Sequence, residues 1–537
     1  MIKEPVIGLD FGNYYSYAFF IEDMDPATHS GGTIWPLLDI DVRGSGIPSF
    51  FYKTDGEDPV VGVRASRSMD RASKAKKLLK RYMGKSFTMG GETFTYKNAA
   101  TLVIQDIVRR ANKVLSNHIG RTTNKISLAR PATITKYELD LLIDAVEAAT
   151  LADGVTHLEV VGTVLEPAAA ALAYLCDPEF GEASAEWEQQ TVLVYDLGGG
   201  TFDATILTLY PRGIGEGEQK RYYDEEASDG LLIGGQDFTN VMKRILFDTY
   251  VRNNKGLLNN TIIDEINRVA EEAKRDLTDY EVYRPSLQAK CDDITRDMFE
   301  DASMDLLIRT IDCTENIYKN YIRQHERDQE SIAAWRPRKI ILTGGASVMP
   351  MVKEQLLRVF SKYGYVADDI IIYKTSTAVS IGAARYIDGH DHVKNGCIFQ
   401  HVTRDIGIKY MTYDGDARIE YIKTLVSRGA SIPTESKFIV SEPNPRHPNQ
   451  LVSRYEAYEA KVIDPDEYEI DRDWEYLGKL LLEYSDCVVR EDSKARQNET
   501  RIVIDELGRL NVEARERNKL ETLRKIQIAW HNGDGED

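Results

Sequence analysis

Two stretches of this chain hold residues that could handle phosphate. Near the start, VIGLDFGNYYSYAFF (6–20) sets Asp10 and Gly12 between apolar, strand-like residues. Far downstream, VYDLGGGTFDATIL (194–207) sets Asp196, Gly198, Gly199, Gly200, Thr201 and Asp203 in the same surroundings. A glycine turn can aim consecutive backbone N–H groups at phosphate oxygens, and the missing side chains allow close approach. A carboxylate beside such a turn does not attract phosphate, but a hard cation such as Mg²⁺, or its waters, can join the two. Taken alone, DFG is as readily an ordinary strand-end turn, and a triple glycine also suits a tight turn within a sheet.

The elements that must position these residues alternate between strand and helix. VIGLDFGNYYSYAFFI reads as strand, turn, strand, and two more strand-like runs follow before residue 53. RASKAKKLLKRYMG (71–84) has the spacing of a helix, with Lys74, Lys76 and Lys77 on a solvated basic face. A helix over 99–118, a strand at KISLARPATI and a helix over 138–152 come next. HLEVVGTVLEPAAAALAYL then supplies a strand, a polar junction and an alanine-rich helix whose first turn holds Pro167. The strand-turn-strand pattern restarts at 191, so two related α/β units are more economical than one sheet. GGQDFTNVMKRILFDTYV, opening on Gly234 and Gly235, and IIDEINRVAEEAKRDL are helices, as is 292–325. Within the second of these, Glu271 and Arg275 form an i,i+4 pair of the kind that stabilises a surface helix. KIILTGGASVMPMVKEQLLRVF gives a buried strand, a turn at Gly344 and Gly345, and a helix; TAVSIGAARYID is a further short helix. After GHDHVKNG the texture changes to short β segments divided by turns. The expected organisation is an α/β region over 1–388, a linker at 389–396, a β domain over 397–530 and a flexible tail at 531–537.

Composition narrows the function classes. With 537 residues, 42% hydrophobic and 28% charged, the chain has the makeup of a multidomain globular protein. Mean hydropathy of -0.38 and the lack of a long uncharged apolar run argue against a membrane span. The opening MIKEPVIGLDFG lacks the order of a secretory signal, so a cytoplasmic location is expected. A net charge of -19 disfavours nonspecific attraction to nucleic acid or anionic membrane. Cys176, Cys291, Cys313, Cys397 and Cys487 are dispersed, with no pattern of a disulfide framework or a cysteine-rich metal site.

In their order along the chain, these motifs resemble the seventy-kilodalton heat-shock chaperones of the actin and sugar-kinase ATPase superfamily. VIGLDFGNYYS is similar to the first phosphate segment, LEPAAAALAY to the connecting segment, VYDLGGGTFDATIL to the second phosphate segment and IILTGGASVMP to the adenosine segment. The resemblance implies duplicated actin-like α/β lobes around ATP or ADP, followed by a β-sandwich. It implies that Asp10 and Asp196 organise Mg²⁺ through its water shell, that residues 198–201 hold the β- and γ-phosphates, and that Asp203 is a second carboxylate behind them. Lys80 matches the phosphate-facing lysine and Glu166 the residue that orients the attacking water. Glu271, Lys274 and Arg275 fall against adenosine, and Gly344 and Gly345 near its ribose or phosphate. Gly12, Asn13, Tyr14, Gly234 and Gly235 complete the implied nucleotide site.

Departures accompany the matches. Asn13 and Tyr14 stand where the family has paired threonines, Val348 where it has an adenine-stacking arginine, and Ser376 where it has an aspartate. The stretch from Tyr280 to Asp293 is short for the family's hairpin insertion. VTRDIGIKY, EYIKTLVSRGASIPTESKFIV, YLGKLL and IDELGRLNVEARE resemble the peptide-binding β-sandwich, with no helical lid expected after it. The implied activity is Mg²⁺-dependent ATP hydrolysis coupled to binding of exposed or extended peptide, with a J-domain cochaperone or a dedicated protein partner. The competing reading is a nucleotide-responsive interaction or assembly protein with little turnover. A sugar kinase and a nucleic-acid module fit less well, the first because of the terminal β region and the second because AKKLLKR is only a local basic run.

Overall fold

The apolar run before Asp10 forms strand β1 (Ile7–Asp10), and the residues after the first glycine turn form β2 (Tyr15–Met24), followed by β3 (Gly31–Pro36). This is a computed structural model, which describes residues 5–24, 31–40, 45–67, 71, 74–131, 134, 136–177, 190–214, 221–254, 260–287, 291–326, 336–387, 400–401, 405–414, 417–427, 430–432, 434–441, 452–460, 474–483, 497–504, 510–517 and 523–527. The chain divides into two units, one of residues 1–133 and 142–392, the other of 134–141 and 393–537. The expected linker at 389–396 and tail at 531–537 lie outside the described residues.

In the first unit, helix α1 (Tyr96–Ile119) starts at Thr95, whose hydroxyl accepts the Asn98 N–H, and ends at Gly120 in the left-handed region. Strands β4 (Lys125–Arg130) and β5 (Glu159–Leu165) follow, then α2 (Glu166–Leu175). β1 pairs antiparallel with β2 and parallel with β4, and the strand order is β5-β4-β1-β2-β3. The second half contains β6 (Gln190–Leu197), β7 (Phe202–Ile214) and β8 (Arg221–Leu231), then helices α3 (Gly235–Asn253), α4 (Asn260–Asp279) and α5 (Arg296–Glu326). It closes with β9 (Lys339–Thr343), α6 (Pro350–Phe360), β10 (Ile370–Ile372) and α7 (Ala378–Ile387). Its sheet order, β8-β7-β6-β9-β10, repeats the pairing of the first sheet strand for strand. Residues of β6, β7, β9 and α3–α6, among them Leu193, Phe202, Phe238, Ile266, Leu307 and Leu342, share one core. Between α4 and α5, Val282–Tyr283 pairs with Ile294–Thr295, a hairpin of only two residues per strand.

One expected element is absent. Beyond Lys74 the segment 71–84 is not helical among the described residues: Lys76 bridges to Phe51, Leu78 takes a left-handed φ of 58°, and turns follow. Nor are its lysines simply solvated. The Lys76 ammonium lies 5.1 Å from the Phe87 ring centroid and that of Lys77 4.8 Å from Phe50, whereas Lys74 is exposed. Long-range pairing with β-strand neighbours outweighs local helical spacing here.

The second unit contains β11 (Ile406–Asp414), β12 (Ala417–Val426), β13 (Val452–Ala460) and β14 (Trp474–Glu483) in the order β12-β11-β13-β14. β15 (Asn498–Ile504), β16 (Leu510–Glu516) and β17 (Arg524–Gln527) form a second antiparallel sheet with two short strands, Thr434–Glu435 and Ile439–Ser441. Alternating residues such as Ile406, Ile408, Ile502 and Ile504 build a core shared by the two sheets. YLGKLLLE (476–483), whose short apolar periods suit strand or helix, is strand. Among the described residues no helix is long and apolar enough to cross a membrane.

Candidate functional site

Equivalent strand ends open onto one cavity of about 420 Å³ in the first unit. β1 delivers Asp10, followed by Gly12, Asn13 and Tyr14; β6 delivers Asp196, followed by Gly198, Gly199 and Thr201; all of them line it. Asp196 pairs across the sheet with Asp203 on one side and with Thr343, the last residue of β9, on the other. The chain therefore leaves β9 beside Asp196. Gly344, at φ 81°, passes so close that a Cβ there would fall onto the Asp196 carboxylate.

The second glycine turn rests on the start of α3. The Gly198 and Gly199 carbonyls accept the N–H groups of Gly235 and Gln236 at 2.8 and 2.9 Å. Gly198 N–H is used within the turn, on the Thr201 carbonyl, while those of Gly199 and Gly200 donate to no acceptor among the described residues. Gly234 lies behind, its Cα against the Gly200 backbone, and its N–H is capped by the Asp237 carboxylate at 2.9 Å. Gly200, Asp203 and Gly234 are thus the expected site residues that do not line the cavity.

Lys80 and Glu166 meet at its floor. The Lys80 Nζ donates to Glu166 Oε1 at 2.5 Å, with both side chains nearly excluded from solvent. Glu166 is the first residue of α2, where the positive end of the helix dipole favours a carboxylate. Burial opposes the Lys80 charge, but the Glu166 and Asp10 carboxylates outweigh it and hold the ammonium above the ordinary lysine value. Burial raises Asp10 to about 7; Lys80 pulls it down and Glu166 adds to the rise. Asp196 lies well above the carboxylate range, first through burial and then through Glu166, Asp203 and Asp10. One ammonium thus faces several carboxylates, a donor set that calls for further positive charge. Among the described residues no three His, Cys, Asp or Glu side chains converge to ligate a cation directly. The site accordingly fits a divalent ion held through its waters.

The opposite wall is one face of α4. Glu271, Lys274, Arg275, Thr278 and Asp279, at i, i+3, i+4, i+7 and i+8, all line the cavity. Glu271 Oε2 accepts from Lys274 Nζ at 2.8 Å and from Thr239 Oγ1 at 2.5 Å. Burial would raise Glu271, yet Lys274, Thr239 and Arg275 hold it below the usual value. Arg275 Nε reaches Glu271 at 3.2 Å and its Nη1 reaches Ser45 Oγ at 3.1 Å, with the guanidinium 5.3 Å from the Tyr15 ring centroid. Gly345, Val348 and Ser376 border the same end. Ser376 bonds the Tyr17 hydroxyl, which burial pushes up to about 12.

Every expected catalytic residue, namely Lys80, Glu166, Asp196 and Thr201, is brought to this cavity. Tyr15, Tyr17, Gln236, Thr278, Asp279 and Thr375 join them without having been expected. Thr278 and Asp279 were within reach of the helical period that continues from Glu271 and Arg275, which the resemblance had set in the site; Tyr15 and Tyr17 carried only the alternation of β2. Tyr14 does enter the cleft, its ring packed on Gly199 so that a Cβ there would be 3.2 Å from Tyr14 Cδ2. Set against models of known protein families, the chain matches the one described as Hsp70 protein over residues 63–443. That span holds Lys80, Glu166, the second glycine turn, α4 and Gly344–Gly345, and it begins after Asp10, Asn13 and Tyr14.

Proposed function

Because this chain belongs to the Hsp70 family, we propose that it is a Mg²⁺-dependent ATPase of the cytoplasm that couples hydrolysis to handling of exposed peptide. Family membership supports ATP binding, general ATPase activity and a chaperone-like role. The observation that carries the finer reading is the convergence of Asp10, Lys80, Glu166, Asp196 and Thr201 in one cavity, with Lys80 and Glu166 hydrogen-bonded at 2.5 Å. At about 420 Å³ the cavity has the size of a nucleotide site. In this reading the repeated sheets are two actin-like lobes, residues 1–388 form the ATPase domain, and the sheets of 397–530 form a peptide-binding sandwich.

The nucleotide lies with its phosphates at the glycine turns and its adenosine along α4. Asp10 and Asp196 would hold Mg²⁺ through its waters, and the ion would supply charge neutralisation at the phosphate oxygens. The Gly199 N–H, which donates to no acceptor among the described residues, holds a phosphate oxygen, joined by the Thr201 hydroxyl. Lys80 offsets charge that develops on the γ-phosphoryl group. Glu166, fixed by Lys80 at the head of α2, orients the attacking water and takes up its proton as the bond between γ-phosphorus and leaving oxygen breaks. In the second unit, β12, at the edge of its sheet among the described residues, exposes Ile419 and Tyr421 on one face, apolar surface beside an open strand edge that suits an extended peptide. A J-domain cochaperone is the partner this reading implies.

A second reading, a nucleotide-responsive assembly protein with little turnover, is favoured by one observation, the Tyr14 ring lying on Gly199 where phosphate would approach. Measuring Mg²⁺-dependent ATP turnover with and without an unfolded peptide, beside Asp196→Asn, separates the two. We expect turnover that the peptide accelerates and that Asp196→Asn lowers by on the order of 100-fold or more. Nucleotide binding without turnover selects the second reading, and turnover indifferent to peptide removes the peptide-handling role.

A further inference from the structure

Asn13 grips the turn that carries Lys80 at both of its ends. Its carbonyl accepts the Leu78 N–H at 3.0 Å and its side-chain Oδ1 accepts the Arg81 N–H at 3.0 Å. Between these anchors lie Leu79 and Lys80. The turn opens on Leu78 at φ 58°, a left-handed conformation that a leucine does not hold without outside restraint. Asn13 itself is 6% exposed, and its Nδ2 sits over Gly200, where a Cβ would come within 2.5 Å of it. Beyond the turn, Arg81 donates to the Leu232 carbonyl at 2.9 Å and to Asp237 at 3.3 Å, and Asp237 also caps the Gly234 N–H. A single amide side chain thereby joins the first phosphate turn, the Lys80 turn and the second phosphate turn.

We propose that Asn13 is a positioning residue: its amide oxygen fixes the 78–81 turn so that the Lys80 ammonium meets Glu166 and the reacting phosphoryl group, and it is not itself the principal phosphate ligand. This rests on the reading of the cavity as an ATPase site. The amide is suited to the task because its oxygen accepts from Arg81 while its NH₂ packs on the glycine loop, two jobs that one hydroxyl on a shorter side chain does not span. A residue that acts through Lys80 affects the chemical step more than ground-state binding, which distinguishes it from a phosphate ligand.

The test uses the full chain carrying Asn13→Leu, which removes the acceptor at similar size, and Asn13→Asp, which keeps an oxygen for the Arg81 N–H. Hydrogen exchange of the Arg81 amide is read in the absence of nucleotide; we expect it to be roughly tenfold or more faster in Asn13→Leu and near wild type in Asn13→Asp. In Asn13→Leu we expect kcat to fall by on the order of 100-fold while the dissociation constant of a fluorescent ADP analogue stays within about threefold of wild type. Asn13→Ser gives the same split if the leucine variant does not fold. Unchanged Arg81 exchange, or a weakened nucleotide affinity with kcat retained, overturns the proposal and makes Asn13 a phosphate ligand. Exchange that follows the acceptor in a wild-type protein without turnover instead overturns the ATPase reading and leaves the grip on the turn standing.

Discussion

Asp10 is the residue at which charge balance in the cavity can be read most directly. Burial raises its carboxyl to about 7, against an ordinary 3.8, although Lys80 pulls the other way. The folded protein therefore binds this proton more tightly than the unfolded chain, and the group lowers stability as it ionises. The penalty is absent below about pH 4, grows as pH rises toward 7, and is complete above that. The shift corresponds to at most about 4 kcal/mol, and to less for the part of Asp10 that faces the cavity. Asp10→Asn should accordingly melt higher than wild type at pH 8 without Mg²⁺, with the gap closing toward pH 4. Adding Mg²⁺ should raise the wild-type melting temperature more than that of the variant. A variant that melts lower at pH 8, in thermal scans across this range, removes the charge argument for the cation. Glu271 behaves oppositely: its neighbours Lys274, Thr239 and Arg275 hold it ionised, so it stabilises the fold above its unfolded value and loses that contribution as pH falls.

Helices α2 and α7 place Glu166 by crossing at backbone contact. α2 is buried on every side, and its alanines 168–171 leave room for α7 to approach. At the crossing a Cβ on Gly382 would fall onto the Ala169 carbonyl, which is backbone and cannot rotate away. Gly382→Ala should destabilise the first unit by about 3 kcal/mol or more, and by displacing the head of α2 should lower turnover further than the fraction folded accounts for. Urea titration and turnover at matched folded fraction check this; a variant of wild-type stability refutes the crossing geometry. The elements around the site differed in how legible they were. The two strand–glycine–strand units and the strand–glycine–helix passage at Gly344 carry their own apolar runs and turn residues, so the turns at Asp10, Asp196–Gly198 and Gly344 were legible in the sequence, and the resemblance of their order to the family's implied that they act together. The helical period paired Glu271 with Arg275 only as a surface pair, and the resemblance set them and Lys274 at the cavity; the next turn of the same period leads to Thr278 and Asp279. The segment 71–84 was misread because its lysine and leucine spacing is helical, whereas its path is set by the Phe51–Lys76 bridge and by Asn13. Ser45 and Tyr17 reach Arg275 and Ser376 at the cavity through pairing distant in sequence, for which no local pattern exists.

At the scale of the whole chain, two units with separate cores imply two unfolding events. The first unit holds the long helices around a core that includes Phe202, Phe238 and Leu342, and the second holds antiparallel sheets around Ile406, Ile502 and Val512. A ligand that binds only the native form of one unit stabilises that unit alone, by about 2.7 kcal/mol at a hundredfold excess over its dissociation constant. The lining residues of the cavity all belong to the first unit. Urea unfolding followed by far-ultraviolet circular dichroism should therefore show two transitions, one carrying most of the helical signal. Mg²⁺ with ADP should move that helical transition to higher urea and leave the other in place, and an unfolded peptide should do the reverse. One transition displaced as a whole by either ligand would mean that the units unfold together, and energy from the nucleotide site would then reach the β sheets through shared stability. Two transitions that each answer to their own ligand would instead mean that the stability of each unit is independent of the other's ligand.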